Sequence, residues 1–179
     1  LQLRLQLGRD VDLPGDRLII NNVGGAFDIS GFTFSSWNDP GDKVIISATS
    51  VGGNDILGTS IADEVNGGAS FDLIHGTLGA DTLRGGAGND TFRYASASAI
   101  ENDSIDGGAD NDTIQIMFAG VANFGTAAFG SSGTTSVETL TLQGSGNTDV
   151  YFNGSAVSAT GLSSALSVTG TAFTDRIVF

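Results

Sequence analysis

TSVGGNDIL (49–57), GTSIADEVN (58–66), GGASFDLIH (67–75), GTLGADTLR (76–84) and GGAGNDTFR (85–93) follow one another without a gap. Aligned, their sixth places read Asn54, Asp63, Asp72, Asp81 and Asp90, and their eighth places Ile56, Val65, Ile74, Leu83 and Phe92. The first place is glycine in the last four blocks: Gly58, Gly67, Gly76 and Gly85. Tyr94 to Ala97 interrupt the phase. SAIENDSID (98–106) and GGADNDTIQ (107–115) restore it, with Asp103 and Asp112 in sixth place and Ile105 and Ile114 in eighth. A fixed internal period is the signature of a repeat architecture.

Nine residues fit neither a helix nor a plain strand. They divide into a six-residue turn and a three-residue strand. Glycine at places one, two and four allows positive φ and close approach of backbones. In the strand, the residue at place eight faces opposite to its neighbours, so a column of large apolar side chains there becomes the core. Two blocks complete one coil of eighteen, and alternate blocks stack on the same edge. One edge then carries Asn54, Asp72, Asp90 and Asp112, the other Asp63, Asp81 and Asp103. The expected fold is all-β, a parallel β-roll or β-solenoid.

Outward from the array the pattern loosens. Residues 1–48 form a β-rich N-terminal solenoid or capping segment. Leu1 to Leu7 alternates apolar and polar like a strand. PGDRLIINNVGG (14–25) partly matches PGDKVIISATSVGG (40–53) at an offset of 26, which suggests a longer coil leading into the nonapeptides. Residues 49–115 are the array. Residues 116–179 are a β-rich C-terminal segment with strand candidates at Val137–Leu142 and Val150–Phe152, a short helix at Ala156–Ala165, and a degenerate copy, GTAFTDRIV (170–178), that holds Asp175 and Ile177 in phase. Beginning at Leu1 rather than Met suggests a fragment or a processed product of a larger protein.

Composition narrows the partners. Twenty acidic residues against seven basic ones give a formal charge of −13, and Lys43 is the only lysine. No basic patch can form, so nucleic acid and anionic membrane are not expected partners. No run of 18 or more apolar residues is present, so no membrane insertion is expected. Twenty-seven glycines, about twice ordinary usage, with two prolines fit a turn-rich fold rather than disorder. There is no cysteine, so extra stability for a thin fold has to come from elsewhere, such as a metal.

The stacked carboxylates set the chemistry. Neighbouring strands lie about 4.8 Å apart, so each edge repeats its acidic groups at a similar spacing and like charges repel. A divalent cation between turns removes that repulsion. The turns offer hard oxygen from aspartate and from backbone carbonyls. Calcium accepts six to eight such ligands in adaptable geometry, magnesium demands a stricter octahedron, and zinc prefers nitrogen and sulfur. With one His and no Cys, zinc is excluded in practice. The two-edge geometry gives about four to five calcium ions over 49–115.

The blocks resemble the RTX (repeats-in-toxin) nonapeptide G-G-x-G-x-D-x-U-x, of the haemolysin type. GGAGNDTFR matches throughout, GGADNDTIQ departs at Asp110, GGASFDLIH at Ser70 and GTLGADTLR at Thr77. The resemblance implies a right-handed β-roll holding several Ca2+ ions. It implies side-chain ligands at Asp63, Asp72, Asp81, Asp90, Asp103 and Asp112. It implies carbonyl ligands at Gly67, Gly68, Gly76, Gly85, Gly86, Gly88, Gly107 and Gly108. Asn54, Ile61 and Glu101 depart from the pattern, which puts the sites at the two ends of the array in doubt. The resemblance further implies a structural module of a larger secreted bacterial protein, exported by a type I secretion system and folding on calcium outside the cell or at its surface.

Two other readings fit the same residues. One is a calcium-dependent surface-assembly module of an S-layer or adhesin, with self-association or a cell-surface polysaccharide as partner. The other is the accessory domain of a secreted hydrolase or epimerase. Catalysis by this chain itself is not expected: H-E-x-x-H, G-x-S-x-G and G-x-x-x-x-G-K-[ST] are all missing, and one His with no Cys removes most nucleophile–base pairs. His75 reads as an exposed place-nine residue. Trp37, Phe32 and Phe34 read as core or capping contacts at the N-terminal end. Asp10, Asp12, Asp16, Asp28, Asp39 and Asp42 read as turn and cap residues.

Overall fold

The computed structural model describes residues 2–6, 15–34, 37, 41–49, 51–100, 103–123, 128–129, 137–151, 162–170 and 176–178. The strands, in chain order, are β1 (Gln2–Gln6), β2 (Arg17–Val23), β3 (Ala26–Asp28), β4 (Lys43–Ala48), β5 (Asn54–Leu57), β6 (Asp63–Ala69), β7 (Asp72–Gly76), β8 (Thr82–Ala87) and β9 (Thr91–Tyr94). They continue with β10 (Ser104–Ala109), β11 (Thr113–Ile116), β12 (Gly120–Asn123), β13 (Ala128–Phe129), β14 (Val137–Leu142), β15 (Thr148–Tyr151), β16 (Leu162–Thr169) and β17 (Arg176–Val178). Among the described residues the only helical piece is a single 3-10 turn, Ala97–Ala99, which begins on the last residue of the interruption of the repeat.

From β2 to β11 successive strands alternate between two sheets. The first runs β1-β2-β4-β6-β8-β10-β13 and the second β3-β5-β7-β9-β11-β14-β16, with β12-β15-β17 as a third. Every pairing is parallel except β1 on β2. In the array, Asn54 lies opposite Asp72 and Glu64 opposite Thr82, eighteen residues on. The four-residue insertion lengthens the next coil to 22, with Thr82 opposite Ser104 and Thr91 opposite Thr113. At the flanks the coil grows further: Arg17 faces Lys43, Thr113 faces Thr139, and Gly120 faces Thr148. The 26-residue offset of the two Pro-Gly-Asp segments is therefore a true coil.

The core is the place-eight column. Ile56, Val65, Ile74, Leu83, Phe92, Ile105 and Ile114 are each no more than 1 % exposed. Burying a side chain of this size contributes about 1.5–3 kcal/mol. The column continues outside the array through Ile20, Ile46 and Leu140, and Val150 of the third sheet joins the same core. At the N-terminal end Phe34 stacks on Trp37, ring centres 4.4 Å apart, and both pack against the core while Phe32 stays half exposed.

The C-terminal segment departs from expectation in two places. Leu162–Thr169 is a strand paired with β14, so the helix expected over Ala156–Ala165 does not extend past residue 161; the rest of that stretch lies outside the described residues. Ser and Thr are poor helix formers, and the open edge of β14 offers the backbone a ladder instead. The degenerate last copy does not continue either roll edge: Arg176–Val178 joins the third sheet against β15. Asp175 lies outside the described residues.

Candidate metal centre

Each sixth-place aspartate points inward at the start of its strand and is at most 2 % exposed. In Asp63 the Oδ1 accepts from the Thr59 hydroxyl at 3.0 Å; in the other five Oδ1 has a fixed task. It accepts the backbone N–H of the equivalent residue one coil earlier: Asn54 to Asp72 (2.9 Å), Asp63 to Asp81 (2.9 Å), Asp72 to Asp90 (2.7 Å), Asp81 to Asp103 (2.9 Å) and Asp90 to Asp112 (2.9 Å). A buried N–H must find a partner, and these carboxylates provide it. Glu138 adds a further rung by accepting from the Asp112 N–H at 2.8 Å, and Asn54 Oδ1 accepts from Gly25 N–H at 3.1 Å. The ladder was not foreseen from the sequence. Its signal was present in the match of Glu138-Thr139-Leu140 to Asp112-Thr113-Ile114.

The second oxygen separates the two edges. On the edge formed by turns 67–71, 85–89 and 107–111, Oδ2 of Asp72, Asp90 and Asp112 is buried without a hydrogen-bond partner. On the edge formed by turns 58–62 and 76–80 and by residues 94–100 it is satisfied. Asp63 Oδ2 accepts from Thr59 N–H at 2.7 Å, Asp81 Oδ2 from the Thr77 hydroxyl at 3.1 Å, and Asp103 Oδ2 from the Tyr94 hydroxyl at 2.9 Å.

Backbone conformation follows the same division. Place two has positive φ at Gly68 (105°), Gly86 (114°) and Gly108 (103°) on the first edge. A Cβ at Gly86 or Gly108 would meet the carbonyl oxygen of Gly68 or Gly86 in the coil before, so only glycine stacks there. Threonine holds place two on the second edge. Place four keeps positive φ at Gly79 and Gly88, and also at Ser70 and Asp110, where the turn imposes it on non-glycine residues at some cost. Place-one glycines do not have positive φ; they are needed for room.

That room forms cradles. A Cβ on Gly67 would meet Asp72 Oδ2 and Gly85 O, both at 2.6 Å, and one on Gly85 would meet Asp90 Oδ2 and Gly107 O. An unpartnered carboxylate oxygen and a carbonyl of the next coil thus face one glycine-lined space, twice over. Among the described residues no three carboxylates or histidines gather, so an ion here draws on one or two carboxylates and on backbone carbonyls. That donor set is all hard oxygen and suits calcium. The structure brings Gly67, Gly68, Asp72, Gly85, Gly86, Gly88, Asp90, Gly107, Gly108 and Asp112 onto this edge. It places Asp63, Gly76, Asp81 and Asp103 on the other.

Burial dominates the electrostatics. Desolvation pushes Asp90 up to about 7 and Asp112 to about 6, with neighbouring carboxylates adding to it, and raises Asp72. On the other edge desolvation takes Asp63 to about 7, Asp81 to about 6 and Asp103 to about 8. Two ionised groups one strand apart repel by about 3–4 kcal/mol at an effective dielectric of about 20. His75 takes no part: its Nε2 sits 2.8 Å from Asp55 Oδ1 on the outer face.

The model of the RTX calcium-binding nonapeptide repeat (4 copies) matches residues 57–92 and 101–115. The break between the two matched segments coincides with the insertion and its 3-10 turn. No curated protein and no solved structure matches the chain.

Proposed function

We propose, from the premise that residues 57–115 carry RTX calcium-binding nonapeptide repeats, that this chain is a calcium-dependent folding module of a larger secreted bacterial protein. It works as a structural element and not as an enzyme. The observation that carries the reading is the set of buried, unpartnered Oδ2 atoms on Asp72, Asp90 and Asp112. Leaving such a polar atom buried and unpaired costs about 1–3 kcal/mol. A divalent ion in the glycine cradles offsets that cost and the repulsion between coils.

Binding energy then becomes folding energy. Where calcium is scarce the acidic turns hold the array open. At the millimolar calcium of an extracellular medium, sites with dissociation constants of about 10⁻⁴–10⁻³ M fill and the coils close. This sequence suits export as an unfolded chain by a type I system and folding on arrival. Circular dichroism of the chain in calcium and after EGTA tests it. Loss of the β-sheet signal on chelation is expected; a spectrum indifferent to EGTA defeats the proposal.

Surface assembly is a second reading, favoured by the ends of the second sheet. Among the described residues its order terminates at β3 on one side and β16 on the other, each a parallel edge able to accept a further strand. Calcium-dependent oligomers in light scattering support this reading, and a monomer at high protein and calcium counts against it.

A further inference from the structure

We propose that calcium occupies only one edge of the array, and that the opposite edge is a seam closed by Thr59, Thr77 and Tyr94. This rests on the calcium reading above. The pseudo-symmetry of the nonapeptides predicts equal edges, but the side chains break it. On the edge of Asp72, Asp90 and Asp112, places one and two are Gly67-Gly68, Gly85-Gly86 and Gly107-Gly108. On the edge of Asp63 and Asp81 they are Gly58-Thr59 and Gly76-Thr77, and before Asp103 the residue that pairs with Gly76 in the ladder is Tyr94 of the insertion.

Those replacements fill the space an ion would take. A Cβ on Gly58 would meet Asp63 Oδ2 and, at 3.4 Å, the Thr77 hydroxyl, where the opposite edge presents the carbonyl of Gly85 or Gly107. Thr77 thus reaches from the second turn to the first: its hydroxyl is 3.1 Å from Asp81 Oδ2 and 3.4 Å from Asp63 Oδ2. Thr59 closes the first turn through its N–H and through its hydroxyl, 3.0 Å from Asp63 Oδ1. The last gap is plugged outright. Tyr94 stands opposite Gly76 in the ladder, its fully buried ring lies against Gly76, and its hydroxyl donates to Asp103. Donors already occupy the oxygens that calcium needs, and no glycine-lined space remains. The array therefore takes ions in two cradles, at Gly67–Asp72–Gly85 and Gly85–Asp90–Gly107, with a third position beside Asp112 where the next coil begins.

Crystals of the full chain grown in calcium, with anomalous data to separate calcium from water, test this directly. Ion peaks beside Oδ2 of Asp72 and Asp90, with none beside Asp63 or Asp81, are expected. Peaks beside Asp63 or Asp81, with Thr77 swung aside, overturn the proposal and leave the calcium reading intact. Crystals with no ion on either edge overturn both. In solution, native mass spectrometry of Asp90→Asn in calcium should show one ion fewer than wild type. Asn54 shows that asparagine is accepted as a rung of the same column, so the variant keeps its ladder. An unchanged ion count overturns the assignment of that cradle.

Discussion

The two edges of the array share one strand register, one hydrogen-bond ladder and one core, yet they solve the burial of carboxylates differently. On the Gly-Gly edge, positive φ at place two stacks bare backbone and leaves Asp72, Asp90 and Asp112 each with an unpartnered oxygen. On the Gly-Thr edge, hydroxyl and amide donors from Thr59, Thr77 and Tyr94 answer every aspartate. The difference teaches that the sixth-place aspartate has two separable roles. Through Oδ1 it satisfies the backbone of the coil before, on both edges, at every position after Asp63. Through Oδ2 it either seeks an ion or accepts a protein donor, and the residue at the start of the turn decides which.

Three perturbations probe this contrast, in order of falling effect. Gly85→Ala should be the most damaging, because its Cβ lands on Asp90 Oδ2 and on the Gly107 carbonyl, neither of which can yield without shifting a coil. We expect calcium-induced folding to be lost or its midpoint to rise at least tenfold, read by circular dichroism during calcium titration. A normal titration would show that the cradle is not an ion site.

Acidity should act next. In EGTA, burial raises Asp63 and Asp90 to about 7, Asp81 and Asp112 to about 6 and Asp103 to about 8, while unfolded aspartates stay near 3.9. The folded state then holds more protons than the unfolded one, so stability is greatest below about pH 4 to 5 and falls as pH rises through 6 to 8. Circular dichroism without calcium should show more β-sheet at pH 5, where these carboxylates are protonated, than at pH 8, where the array stays open, and the opposite order would mean that these carboxylates are ionised and paired. Net charge reinforces the trend, since ionising these carboxylates brings the chain to its full formal −13.

The smallest effect belongs to Thr77→Val. It removes the hydroxyl from Asp81 without enlarging the cavity and should cost about 1–3 kcal/mol. The loss in melting temperature should be similar at low and at saturating calcium, since the Gly-Thr edge takes no ion. A loss confined to calcium-loaded protein would place an ion there.

Much of this was legible beforehand. The two-block coil, the parallel sheets and the core column follow from the spacing of Ile56, Val65, Ile74, Leu83 and Phe92, because a large apolar side chain in a three-residue strand has one way to face. Glycine and aspartate pointed to hard-oxygen turns. The inequality of the edges was written in Gly-Thr against Gly-Gly but could not be weighed, because whether a threonine hydroxyl turns toward a carboxylate depends on packing. Tyr94 was hidden by the insertion, which breaks the count at the point where the side chain acts. The third sheet was not legible: its coils run to 28 residues of Ser, Thr, Gly and Ala with no short period to count.

Because unlike edges alternate every nine residues while like turns recur every eighteen, the unit that could be duplicated without harm is the pair of blocks. Copying one whole coil would lengthen the rod by a single strand spacing and keep each turn facing its own kind. Copying a lone nonapeptide would set Gly-Gly turns upon Gly-Thr turns and scramble both rows at once. Growth or trimming of this array by gene rearrangement should therefore proceed in steps of eighteen residues.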